Sequence, residues 1–285
     1  MPAVTRFLLR LRTPRAFLCV GVLLALLGGT VPESLKGAGQ RLDVSRMRLT
    51  FAEEFNTLDV SAKGPGTRWI SHTPWGGDFG DAVFTSPEPG FPFTVKDGLL
   101  RIEARKNPAG RWQSGLLASA DSRGQGFSQR YGYFEMRARL PKGKGLWPAF
   151  WLSSVADPAA ASSVEIDVLE GYGQFPDKFN SAVHVWYKNG NHRHSPLHTQ
   201  GVPLNSLYDD FNLFGVLVGP EWIEFYLNRV EYWRFRTPPE QRPAIVLLNL
   251  ALGGGWPIDE APSPSVMVVD YVRVYALEGS DGRSR

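Results

Sequence analysis

The chain has one cysteine, Cys19, four methionines and five histidines in 285 residues. One thiol forms no disulfide framework, so from Arg48 onward stability has to come from a packed core. Long apolar runs are missing too. The longest, Ala16 to Leu27, has twelve residues, short of the ~20 that span a bilayer. From Arg48 on there is no long amphipathic helical pattern, no internal repeat and no low-complexity tract, which excludes bundles and solenoids. Gly253-Gly254-Gly255 lacks the lysine and spacing of a phosphate loop and reads as a turn before Trp256-Pro257.

What is abundant is glycine (30), proline (22) and tryptophan (9). Many turns and many aromatics point to short strands. Arg6, Arg10, Arg12 and Arg15 precede the apolar run, and a Pro/Gly/Ser linker follows it. That is the layout of an export leader over residues 1–39. Without a clear cleavage site, both a removed signal and a retained membrane anchor stay open. Cys19 lies inside the run and does not follow a lipobox. The net charge of +3 belongs to this leader, which holds Arg6, Arg10, Arg12, Arg15 and Lys36 against Glu33 alone. The remainder is close to neutral, as suits an uncharged partner and not nucleic acid.

One domain is expected over residues 40–278, with a tail at 279–285. Period-2 alternation marks its strands. Leu100 and Ile102 alternate with Arg101 and Glu103; Phe134, Met136, Ala138 and Leu140 share a face opposite Tyr133, Glu135, Arg137 and Arg139. Residues 221–235 read as a hairpin turning at Asn228-Arg229. Two more strands follow at 244–252 and 266–275. The expected fold is all-β, a sandwich of two curved antiparallel sheets.

The most informative segment is Ser163 to Gly171. Val164, Ile166 and Val168 alternate with Glu165 and Asp167, so both carboxylates leave the core side. Glu170 is out of phase by one residue. A single-residue bulge after Asp167 returns it to the carboxylate face. Three carboxylates on one strand face repel one another, and that cost asks for a function. Two carboxyls brought to ~5–5.5 Å are the pair of a retaining glycosidase. Trp147, Ala149 and Trp151 share one face of a neighbouring strand. Asn180, Ala182, His184 and Trp186 share one face of the next. Indoles beside carboxylates suit the apolar faces of sugar rings. His192, His194 and His198 sit among Gly, Asn, Ser and Pro, a composition that reads as a solvated loop in preference to a zinc site.

From Leu49 to Tyr275 the chain resembles glycoside hydrolase family 16, the laminarinase and endo-β-glucanase family. The resemblance rests on Phe51 to Asn56, Arg130 to Pro141, Leu146 to Leu152, Glu165 to Glu170 in the bulged E-x-D-x-x-E form, Leu248 to Gly254, and Val269 to Tyr275. It implies a concanavalin A-like β-jelly roll and double-displacement hydrolysis. Glu165 is then the nucleophile, Asp167 its helper and Glu170 the general acid/base. Trp147, Trp151, His184 and Trp186 line the cleft, with Asn180 and Asn249 beside them. No cofactor serves catalysis. The resemblance also implies one structural calcium, for which Asp270 is the side-chain candidate, with Gly98 and Glu54 after it. The expected partner is a polysaccharide, met by an exported monomer. A β-1,3-glucan, a mixed β-1,3-1,4-glucan and a bacterial exopolysaccharide all remain open. So do a non-catalytic carbohydrate-binding jelly roll and a transglycosylase on the same scaffold. The segment Trp75 to Asp81 and the stretch Tyr187 to His198 depart from plain laminarinase loops.

Overall fold

The computed structural model describes residues 41–277. The expected leader and the C-terminal tail lie outside the described residues. Two sheets pack face to face in a β-jelly-roll sandwich. A ten-stranded sheet runs in the order Val230–Arg236, Trp222–Leu227, Asn212–Val218, Gly132–Arg139, Ser265–Ala276 and Leu99–Lys106 through its main strands. A nine-stranded sheet runs His192–His194, Lys178–Tyr187, Ser162–Glu170, Leu146–Ser154, Ala244–Leu252 and Leu116–Ala118. Every pair among these main strands is antiparallel. The α-helical content of the described residues is the single turn Ser206–Asp209.

The core lies between the sheets. Phe134, Met136 and Ala138 from one sheet meet Phe150, Leu152, Val164, Ile166, Val183 and Val185 from the other. Burial of each large side chain contributes roughly 1.5–3 kcal/mol, and the alternation that places them there fixes the register of both sheets. The 221–235 hairpin turns at Asn228 (φ 51°) and Arg229 (φ 64°). Both central residues take the left-handed conformation that two-residue hairpins favour.

The outer face of the Gly132–Arg139 strand departs from expectation. Tyr133 and Glu135, set opposite the core residues, are also fully buried. Tyr226 and Tyr275 cover that face, together with Leu42, Val44 and Met47 from the start of the described chain. A second small core forms on the groove side of the other sheet. There Phe84 is buried with Ala149, Trp151, Leu247 and Ala251, and Phe79 packs on the group. The segment after residue 70 thus folds over one part of the groove sheet.

Candidate active site

The Ser162–Glu170 strand pairs with Leu146–Ser154 on one side and Lys178–Tyr187 on the other. Its register shifts after Asp167. Asp167 faces Ala182, whereas Glu170 faces Asn180, and across the other edge Trp151 faces Asp167 while Phe150 faces Leu169. Val168 and Leu169 are both buried in the inter-sheet core. This is the expected bulge, and it brings Glu165, Asp167 and Glu170 to one face. The driving force is plain: two adjacent apolar side chains bury together, and the strand absorbs the extra residue by bulging.

Ligand-type atoms of Glu165, Asp167 and His184 all lie within 4.8 Å of one another. His184 Nε2 sits 3.1 Å from Asp167 Oδ2, and Tyr172 Oη donates to Glu170 Oε1 at 3.2 Å. Burial, and next the charge of Asp167, push the Glu165 carboxyl up to about 8. Burial raises Asp167, with the Glu170 charge adding to it, and burial raises Glu170. Burial lowers His184. The cluster therefore holds protons well above the ordinary carboxyl range near 4. Glu170 needs that retention as general acid, whereas Glu165 attacks as the carboxylate; the interacting cluster meets both needs when its shared proton sits on Glu170.

A raised carboxyl also costs stability. Between the ordinary carboxyl range and about 8, the cluster around Glu165 keeps a proton in the folded chain that the unfolded chain releases. Stability is thus lost as pH rises through that window. Glu165→Gln removes the loss. Its melting temperature is expected to exceed the parent's by several degrees near pH 9 and to match it near pH 4. Calorimetry at the two pH values checks this; an equal difference at both removes the pH-linked cause.

Aromatic rings frame the carboxylates. Trp147 stacks on Tyr172 with centroids 5.8 Å apart. Trp75 meets Trp151 edge-on at 5.8 Å, and Phe79 contacts both Trp147 and Trp151. Beyond Glu165 a cavity of about 610 Å³ opens, lined by Trp75, Ser153, Ser163, Trp186 and Arg242 among others. Gly254, at φ +61°, passes so close that a Cβ would lie 2.8 Å from both Trp147 and Tyr172. Glycine is required there on both counts.

Most expected site residues meet here. Trp147, Trp151, Asn180, His184 and Trp186 share the carboxylate face through their strand registers. Asn249 is on the carboxylate face by register, opposite Ala149, but is covered there. It is fully buried, and its Oδ1 accepts from Trp151 Nε1 at 2.8 Å, so it supports an indole from beneath. The calcium expectation does not fit the side chains present. Asp270 is engaged by Arg137, and Glu54 takes Arg273 through both oxygens at 2.8 Å. Gly98, at φ +72°, occupies the tight turn before the Leu99–Lys106 strand. Each carboxylate already has a cation. The 187–198 stretch is likewise not a plain loop, because His192–His194 form a strand. Trp75 and Phe79 come from the 75–81 segment already marked as departing from plain laminarinase loops, whereas Tyr172 and Arg242 carry no mark in the sequence reading. Tyr172 sits two residues after Glu170, and its hydroxyl was the available signal.

The chain belongs to the glycosyl hydrolases family 16, whose model matches residues 91–273. Among its relatives is an endo-1,3-1,4-beta-glycanase, EglC, of Rhizobium meliloti (strain 1021), 33% identical over 264 residues. The match covers 83% of this chain and 53% of that protein. The chain thus spans about half the length of that relative. A beta-glucanase of Rhodothermus marinus is 34% identical over 203 residues, covering 64% of this chain and 69% of that protein. Among solved structures, SCLam, a non-specific endo-beta-1,3(4)-glucanase from family GH16, superposes with a TM-score of 0.65 at 26% identity. That superposition covers 86% of this chain and 97% of the other.

Proposed function

We propose that the chain is an endo-acting glycoside hydrolase that cleaves β-1,3- or mixed β-1,3-1,4-linked glucan with retention. The observation that carries this is the bulge that sets Glu165, Asp167 and Glu170 on one face beside Trp147, Trp151 and Trp186. Glu165 attacks the anomeric carbon while Glu170 protonates the departing oxygen. Glu170 then takes a proton from the water that releases the glycosyl-enzyme. Asp167, between them in sequence and bound to His184, orients the nucleophile and tunes its proton affinity. The indoles hold the sugar rings and the open cavity admits an internal stretch of chain. The relatives' activity on β-glucans supports the substrate class. The arginine-rich leader ahead of the domain supports export.

A panel of laminarin, lichenan, cellulose and galactan tests this, with mass spectrometry and proton NMR of the first products. Short β-glucan oligosaccharides of retained anomeric configuration are expected, from laminarin or lichenan. Inverted first products exclude the mechanism. Products longer than the substrate mark transglycosylation, and binding without new reducing ends marks a carbohydrate-binding module.

A further inference from the structure

The His192–His194 strand lies at the edge of the groove sheet. It pairs with Lys178–Tyr187 in the register His184↔His194 and Trp186↔His192. His192 therefore rises from the sheet on the same face as the carboxylates, one strand further out than Trp186. Its ring stacks on the Trp186 indole with centroids 3.7 Å apart and planes within 5°. On its other side Trp186 faces Ser163 of the carboxylate strand, and both line the cavity beyond Glu165. His192 thus backs the Trp186 indole, which itself lines the cavity.

The same imidazole makes a second contact. His192 Nε2 lies 2.9 Å from His184 Nδ1, and His184 Nε2 lies 3.1 Å from Asp167 Oδ2. When the Asp167 carboxylate accepts from Nε2–H of neutral His184, Nδ1 of that ring can only accept. His192 then supplies the N–H. If Asp167 instead donates, the whole chain of donation reverses, and His192 Nε2 is again its end. In either case His192 Nε2 completes, at Nδ1 of His184, the hydrogen-bond chain that Asp167 begins at Nε2.

We propose that His192 is a positioning residue that serves both halves of the site: it braces the Trp186 sugar platform through its ring and holds the His184–Asp167 pair through its nitrogen. The kinetic part rests on the hydrolase assignment above. The two contacts use different properties of one side chain, so substitution can separate them. His192→Phe keeps a flat ring against Trp186 and loses the hydrogen bond to His184. His192→Gln keeps an N–H within reach of His184 Nδ1 and loses the ring face. The strand is exposed at the sheet edge, so both variants are expected to fold, with melting temperatures close to the parent's.

On the glucan cleaved best by the unmodified chain, His192→Phe is expected to lower kcat about tenfold at nearly constant KM. His192→Gln is expected to raise KM several-fold at nearly constant kcat. A merely structural role predicts no such split. Nitrogen-15 imidazole spectra give a readout that needs no turnover: the His184 Nδ1 resonance should shift in His192→Phe and stay near the parent's in His192→Gln. An inactive parent whose His184 Nδ1 resonance still depends on His192 overturns the hydrolase assignment and leaves the relay standing. An active parent whose kinetics and His184 Nδ1 resonance ignore both substitutions overturns this proposal alone.

Discussion

Glu165→Gln is expected to leave a folded sandwich whose turnover on β-glucan falls by at least ~10⁴-fold. The amide keeps the shape of the carboxyl and cannot form the glycosyl-enzyme. Glu170→Gln should lose a similar factor on glucan, yet for a different reason, and the difference can be read. An aryl glycoside with an acidic leaving group departs without protonation. With that substrate Glu170→Gln should still form the glycosyl-enzyme and then stall, because no base activates the water. Mass spectrometry of the stalled protein should show one added glycosyl unit, and azide should release it. Glu165→Gln should show neither. Ordinary turnover in Glu165→Gln, or no glycosyl-enzyme from the aryl glycoside in Glu170→Gln, removes the assigned roles. The loss of function in Glu165→Gln is also expected to accompany a gain in stability at alkaline pH, since the nucleophile is held in a buried, like-charged setting.

The catalytic strand was readable because its two faces differ. Val164, Ile166 and Val168 enter the core, and the phase error at Glu170 announces the bulge. The hairpin at Asn228-Arg229 was readable for the same reason. Three features were not. In Ala244–Leu252 every residue is buried, since the segment around Phe79 and Phe84 covers part of the groove side. Alternation then carries no sign that Asn249, on the groove side, is covered by the Trp151 indole. His192–His194 is a polar edge strand, exposed throughout, and polar edges leave no apolar pattern to find. The arginines that engage Asp270 and Glu54 are long-range partners: Arg273 is 219 residues from Glu54 and Arg137 is 133 from Asp270. Spacing within one motif does not reveal such neutralisation.

Glu135→Ala is expected to be the most damaging substitution away from the groove. Glu135 is fully buried, yet its carboxylate takes four hydrogen bonds. Arg229 donates through Nε at 2.8 Å and Nη2 at 2.9 Å, Tyr133 at 2.9 Å and Tyr271 at 3.0 Å. Alanine leaves a part-buried guanidinium and two buried phenols without their acceptor, a loss of ~3–5 kcal/mol. At ~2–4 °C per kcal/mol for a domain of this size, the melting temperature should fall by roughly 6–20 °C. The consequence spreads because Arg229 sits in the hairpin turn, and its carbonyl accepts from Leu42 N at 2.8 Å. Releasing it frees both the turn and the covering segment that carries Leu42, Val44 and Met47. The loss comes mainly from the stranded cation, so removing both charges should restore much of it. Glu135→Leu with Arg229→Met is expected to be more stable than Glu135→Ala by ~2 kcal/mol or more. A double variant no better than the single one removes the stranded charge as the cause. Because this network lies on the outer face of the ten-stranded sheet, with the core between it and Glu165, the folded fraction of Glu135→Ala should retain the parent's KM.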